Sequence, residues 1–312
     1  MGTKFEIIAY CDDAEKCSRA MDEAFKVVAD LDAKLSNYKA DSELNRFCAG
    51  APHSQPVPIS DDLLDVLRRS QEISEKTNGA FDVTIGQLSK LWRRAQRRKQ
   101  LPSADRIADA LASVGYKTIK LDPERHTASL TVANAQIDLG GIAKGYAINK
   151  ALGELKKLGI ERALVNGGGD VAVGVAPPGR DAWQVQVYDG SNDRIVILSL
   201  ANQAVATSGN LYQFVEVDGK TYSHLVDPKT GIGLTTFVSS SVIAPDATSA
   251  DAWASAIALV GAKEGLRLIE SMPEFEATIR SREGNSIDRL TTTGFSVYES
   301  LVPADAKNKR SE

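Results

Sequence analysis

Cysteine is scarce in this chain, with three among 312 residues: Cys11, Cys17 and Cys48. They form neither a CxxC redox pair nor a zinc-type array, and their odd number speaks against a disulfide framework. Cys11 and Cys17 could pair in an exported chain. The sequence leaves that open, and all three read as structural. No apolar run approaches the ~18 residues of a membrane-spanning helix, and no charged-then-apolar leader stands at the N-terminus. G-x-S-x-G, the Walker P-loop and H-E-x-x-H are all missing, so the chain carries no familiar hydrolase nucleophile or zinc-protease motif. With a formal net charge of -4 and no basic run interleaved with aromatics, nucleic acid is not expected as a partner. The most basic stretch, residues 92–99 (WRRAQRRK), reads as a solvated helix face or loop rather than a polyanion site.

What is present is an ordinary globular composition, 43% hydrophobic and 25% charged, long enough for one large domain or two lobes around a substantial core. Residues 4–10 (KFEIIAY) read as a strand. Ala14–Leu35 reads as an amphipathic helix, with Ala20, Ala24, Val27, Val28 and Leu31 on the 3.6-residue period. A turn and a short helix capped near Ser42 occupy 35–45, and Ser60 caps a helix to about Thr77, with Asp61 and Asp62 where the helix dipole favours them. Asn78-Gly79 marks a turn before a short β-like run at 80–85, and a helix follows at 105–114. Strands are expected at 117–121, 128–131 and 136–139, then a turn at 140–144 and a helix over 145–158. Further strands are expected at 163–166, 171–175, 183–188, 195–200, 203–207, 214–217, 223–226 and 239–244. Helices at 248–259 and 262–271 and two short strands close the pattern. Strands dominate the later part without sustained βαβ alternation, so the expected class is α+β, largely antiparallel sheet with packed helices. One catalytic domain is expected over 1–302, divisible into two lobes, with a disordered tail at 303–312.

Four segments carry chemistry. In residues 138–144 (DLGGIAK), a carboxylate, two glycines and a helix start bring backbone close to a ligand. The free N–H groups and dipole of that helix suit phosphate, and Lys144 adds a point charge; an ordinary strand–turn–helix reads equally well. Residues 166–170 (NGGGD) imply either a hairpin with unusual dihedrals or close approach to a flat or phosphorylated ligand, and do not match the dinucleotide fingerprint. In residues 246–255 (DATSADAWAS), Asp251 and Ser255 stand four apart on one helix face. Mg²⁺ takes few carboxylates and completes its shell with carbonyls, water and phosphate. The alternative is a helix capped by Thr248 or Ser249, with Asp251 in its first turn and Ser255 buried. In residues 222–231 (YSHLVDPKTG), Asp227 begins a turn and His224 lies on the strand before it. A lone strand histidine is more often structural, but beside a ligand turn it suits acid–base work.

In order, Met1-Gly-Thr, LSNYKADSELNRF, TNGAFDVTIGQLSKLW, IDLGGIAKGYAIN, ALVNGGGDVAVG, ATSGNLYQF, YSHLVDPKTG and DATSADAWASAIALVG resemble the ApbE family, the FAD:protein FMN transferases. The blocks run from residue 1 to about 261. The resemblance implies an ApbE-like, T-fold-related architecture. It also implies an enzyme that binds FAD with Mg²⁺ and moves FMN onto a Thr or Ser hydroxyl of a target flavoprotein, releasing AMP. By position, Asp138 and Lys144 match the family's FAD contacts, and Met1, Tyr38, Ala80, Phe81 and Asp82 match positions lining the flavin or adenine. Gly141 matches a main-chain metal ligand, completed by Asp251 and Ser255; the family commonly has Thr at the latter, and Ser255 keeps the hydroxyl. His224 matches the histidine that assists catalysis, with Asp251 as the second catalytic candidate. The target implied is a membrane redox-complex subunit. The alternatives are a Mg²⁺-dependent FAD pyrophosphatase and a flavin-binding protein without turnover. Family members usually carry an export or lipoprotein leader. The expected location is therefore the periplasmic side of the cell envelope if a leader was removed, and the cytoplasm if the chain is complete as given.

Overall fold

A computed structural model describes residues 2–188, 195–209, 214–217, 219–283 and 286–301; Met1 and the expected tail at 303–312 lie outside the described residues. In chain order the elements are β1 (Phe5–Ala9), α1 (Ala14–Leu35), α2 (Glu43–Ala49), β2 (Val57–Pro58), α3 (Asp61–Lys76), α4 (Gly86–Arg98), α5 (Ala104–Leu111), β3 (Ile119–Asp122), β4 (Thr127–Leu130) and α6 (Ala143–Lys157). There follow β5 (Ala163–Gly167), β6 (Asp170–Val173), β7 (Trp183–Tyr188), β8 (Ile195–Leu200), β9 (Gln203–Gly209), β10 (Phe214–Val217), β11 (Lys220–Ser223) and β12 (Val238–Ala244). Last come α7 (Ala247–Val260), α8 (Ala262–Glu270), β13 (Glu276–Glu283), β14 (Ser286–Thr291) and β15 (Glu299–Leu301). Among the described residues every paired strand is antiparallel, so the α+β class with a largely antiparallel sheet is the one that forms.

The described residues divide into two compact units, one drawn from 29–143 and 214–237, the other from 2–28, 144–209 and 238–301. In the first, α4 buries Leu88, Trp92 and Ala95 against Ala110, Val215 and Val226. The Trp92 indole N–H donates to the Gly231 carbonyl at 2.8 Å, satisfying the polar edge of a buried ring. Glu43 ties α2 to α3 by accepting from both the backbone N–H and the hydroxyl of Ser60, at 2.6 and 2.7 Å. Ser60 itself caps α3 by accepting from Leu63 N–H. The basic stretch lies on α4, with Trp92 inward and Arg94, Arg97, Arg98 and Lys99 exposed.

The second unit is built on a seven-stranded sheet, order β1-β5-β6-β9-β12-β13-β14, with a three-stranded sheet β15-β8-β7. Val171, Val173, Trp183, Val185, Leu198, Leu200, Val205, Ile243 and Phe295 join in one core. Helix α7 packs on β9, β12 and α8. It is buried over nearly its whole length, as expected for a helix that is apolar all round.

Several expectations are corrected. Residues 80–85 and 136–139 are not strands; a single parallel bridge, Ile85 to Gln136, joins them. The reason is local: the Asp82 carboxylate takes the Thr84 N–H and hydroxyl, closing a side-chain turn that competes with extended pairing. The expected strand at 223–226 ends at Ser223, and His224 lies in the bend beyond it. The basic stretch at 92–99, read as a helix face or loop, is the later part of a helix that begins at Gly86, a start the sequence reading did not give. Among the described residues three strands close the chain instead of two. Asp246, rather than Thr248 or Ser249, caps α7, accepting from Ser249 N–H at 3.1 Å and from its hydroxyl at 2.8 Å. Cys11 and Cys17 form a disulfide while Cys48 is free and buried, so the odd count concealed one bridge.

Gly145 shows how closely α6 meets α7. A Cβ added there would meet the Ala247 carbonyl oxygen and stand 2.7 Å from Asp251 Cβ. Gly145→Ala is therefore expected to destabilise the protein by about 1–3 kcal/mol, measured by urea unfolding. An unchanged midpoint would mean that the two helices do not meet this closely.

Candidate functional site

In the second unit, three chain segments bring charge together. Lys144 is the second residue of α6, Asp170 the first of β6, and Asp251 lies one turn into α7. The Lys144 ammonium pairs with Asp170 Oδ2 and stands 3.7 Å from Asp251 Oδ1. Both aspartates are buried, with side chains 2% and 7% exposed, while Lys144 is 25% exposed. Asp251 Oδ2 accepts the Gly145 N–H at 2.8 Å, and Asp170 Oδ1 accepts the Thr207 N–H at 3.2 Å. Each carboxylate is thus aimed by a backbone amide as well as by the lysine.

Local sequence explains the placement. Gly167 and Asp170 face each other across the β5–β6 pair, leaving Gly168 and Gly169 as a two-residue turn with φ of +63° and +100°. Both positive values are those of a type I′ hairpin, which glycine adopts without strain. The glycine cluster is therefore a hairpin, and its product is the fixed position of Asp170. Ser255, one turn beyond Asp251, is buried and donates its hydroxyl to Ser208 Oγ at 3.3 Å.

Taken as ionised, two carboxylates and one ammonium leave a net negative charge in a buried place, and such charge calls for a partner. The donors available are all hard oxygens: Asp251, Asp170, Ser255 and Ser208. Among the described residues no group of three His, Cys, Asp or Glu could hold a metal by itself. The set suits a hard cation that keeps water and ligand oxygens in its shell, and does not suit a closed zinc site.

The first unit holds the remaining expected residues. Tyr38 is 73% exposed, and the Arg93 guanidinium carbon lies 4.4 Å from its ring centroid. The same guanidinium donates to Asp138 Oδ2 at 2.6 Å, while Asp138 Oδ1 accepts the Gly140 N–H at 3.0 Å. Ala80 is half-buried, and Phe81 and Asp82 are buried. Asp82 accepts from Thr84 twice and from Tyr116 N–H at 2.7 Å, so both its oxygens are engaged internally. Gly141 is half-buried in the turn that leads into α6. His224 is exposed, three residues before a turn in which Asp227 accepts from Lys229 N–H and the Thr230 hydroxyl. Met1, the remaining expected contact, lies outside the described residues.

Two polar residues in these clusters were missed from sequence. Asp170 was read only as the end of a glycine run, although an aspartate straight after a two-glycine turn is where a hairpin would present one. Arg93 was absorbed into a basic stretch; nothing local separates it from Arg94.

The sequence model of the ApbE family matches residues 1–279. The FAD:protein FMN transferase of Haemophilus influenzae is 31% identical over 283 residues, covering 86% of this chain and 81% of that protein. The protein of the same name from Escherichia coli is 31% identical over 290 residues, covering 89% and 79%. The crystal structure of the ApbE protein from Thermotoga maritima superposes with a TM-score of 0.84 at 29% identity, over 96% of both chains.

Asp82 yields a prediction with a definite sign. Burial raises its pKa above the ordinary value, against the lowering effect of its hydrogen bonds to Thr84 and Tyr116. A carboxyl whose folded pKa exceeds its unfolded one contributes stability that is present below the unfolded pKa and lost as pH rises through the folded pKa. The stability of the native protein relative to Asp82→Asn should therefore be greater at acid pH than at neutral pH, by denaturant titration at each. Asp82→Ala, which orphans three donors, should cost about 2–4 kcal/mol, with the larger cost at acid pH.

Proposed function

The chain belongs to the ApbE family, and on that premise we propose that the buried Asp170–Lys144–Asp251 cluster handles the diphosphate end of its substrate. The protein is an FAD:protein FMN transferase, as its relatives are named across most of their length. It acts on FAD and delivers FMN to a target protein.

In our reading Mg²⁺ is held by Asp251 and Ser255, both in the second unit; the likeness to the family also names the Gly141 carbonyl, which belongs to the first unit. Support comes from the hard-oxygen donors and from a buried excess of negative charge beside Lys144. When bound, the ion would neutralise the diphosphate and stabilise the leaving AMP. The chain's own groups do the rest. The Gly145 N–H holds Asp251 in one orientation. The Lys144 ammonium offers positive charge to phosphate oxygens, and the first N–H groups of α6 add the dipole's positive end. The acceptor's Thr or Ser oxygen forms a bond to the FMN phosphorus as the bond to AMP breaks. Its proton must pass to a base, a role for which sequence likeness alone nominates His224, an exposed residue of the first unit.

The finer partner in this proposal is a flavoprotein subunit of a membrane redox complex, and the proposed location is the periplasmic side of the cell envelope. The Cys11–Cys17 bridge supports that location, because disulfides persist in oxidising compartments.

The carrying observation is the lysine engaged by two buried aspartates, and one incubation tests what it does. Protein, FAD, Mg²⁺ and a flavoprotein with an acceptor Thr should give a fluorescent target band and one AMP per flavin transferred. Asp251→Ala should lower the rate by roughly a hundredfold or more and weaken the Mg²⁺ dependence. AMP without a labelled target would instead indicate hydrolysis. Unchanged rate and metal dependence in Asp251→Ala would remove the metal assignment.

A further inference from the structure

Arg93 occupies an unusual position for a residue in a run of arginines. Its neighbours Arg94, Arg97 and Arg98 are exposed on α4, and crowding by Arg98, Arg106 and Arg97 lowers the Arg94 pKa. Arg93 alone in that run meets a carboxylate among the described residues, Asp138, at 2.6 Å. Its side chain is 31% exposed and that of Asp138 only 10%. The guanidinium also lies over the Tyr38 ring, 4.4 Å from the centroid. One planar cation thus touches both an exposed aromatic face and a largely buried carboxylate. All three residues lie in the first unit.

The carboxylate end is rigid. Asp138 N–H donates to the Val83 carbonyl at 2.7 Å, and Asp138 Oδ1 takes the Gly140 N–H. The helix end is rigid too, because the adjacent Trp92 is buried and bonded to Gly231. Arg93 is held at both ends, and Tyr38, 73% exposed, is the partner with the fewest surroundings to fix its ring besides the guanidinium. An isolated surface ion pair contributes little, so the arrangement is better understood through what it does to the ring. A guanidinium can stack flat on an aromatic face and still donate in its own plane to a carboxylate, and an ammonium cannot do both.

We propose that Arg93 is a positioning residue of the flavin site: it covers one face of Tyr38 and, anchored by Asp138, sets the open face as a platform for a planar ring of FAD. The proposal rests on the reading of Tyr38 and Asp138 as FAD contacts. A ring already held in place loses less freedom when the ligand arrives, so the effect falls on affinity.

The test measures FAD binding by quenching of flavin fluorescence, without Mg²⁺ or acceptor protein, so that turnover plays no part. Arg93→Lys keeps the charge, and Arg93→Met keeps the packing of the stem. Both are expected to raise the Kd for FAD roughly 3- to 30-fold, with melting temperatures near that of the native protein. KM for FAD should rise more than kcat falls. Tyr38→Ala should weaken binding as well, and Tyr38→Ala/Arg93→Lys should bind no more weakly than Tyr38→Ala alone. Native affinity in both Arg93 variants, or additive losses in the double variant, would overturn the positioning role while leaving Tyr38 as a contact. Native affinity in Tyr38→Ala would remove the contact reading and the proposal with it.

Discussion

Two aspartates buried beside one lysine constrain the second unit more than any other contact in it. Burying a carboxylate costs several kcal/mol unless charge and hydrogen bonds compensate it. Here the compensation comes from three separate segments: the start of α6 with Lys144 and the Gly145 N–H, the start of β6 with Asp170, and α7 with Asp251. None can shift without uncovering charge. Close packing is part of the same requirement, since Gly145 lets α6 approach α7 with no side chain between the backbones. The two-glycine hairpin then delivers Asp170 at a fixed register against β9, where its Oδ1 accepts the Thr207 N–H and its buried Oδ2 faces the lysine.

A charge cluster of this kind is expensive to keep for stability alone, because well-packed apolar residues of similar volume do as well or better. In the proposed function its value is chemical. A partly exposed ammonium over two carboxylates is preorganised for phosphate oxygens and for a hard cation, and the reorganisation cost falls in folding instead of in the reaction. In the proposed reading that arrangement serves FMN transfer, because little covalent chemistry is left to the protein once the diphosphate is positioned and neutralised.

The first unit solves a different problem, the presentation of aromatic and polar groups on short, irregular segments. Residues 80–85 and 136–138 lack the length for a ladder, and side chains hold them instead: Asp82 gathers three donors, and Val83 takes the Asp138 N–H. The run AFDVTI reads as a strand because apolar Phe81 and Val83 alternate with polar Asp82 and Thr84, yet in the fold all four are buried. The Asp82 carboxylate decides otherwise, since a local side-chain bond to backbone can outcompete extended pairing.

By itself the sequence determined the elements whose signal is repeated along the chain. Helix α1 formed with its predicted ends, α2 and α3 began at the serines that cap them, and most strands of the large sheet fell within a residue or two of expectation. The ordered blocks that carry the family likeness were legible for the same reason, since each is a local string. Only the tertiary structure decided which charges meet. Lys144 and Asp170 are 26 positions apart, Gly145 and Asp251 are 106, and Arg93 and Asp138 are 45. Periodicity and capping report on backbone conformation and on which face is buried. They carry no information about the partner across the core, and that partner turns an aspartate after a glycine turn, or one arginine among several, into part of a site.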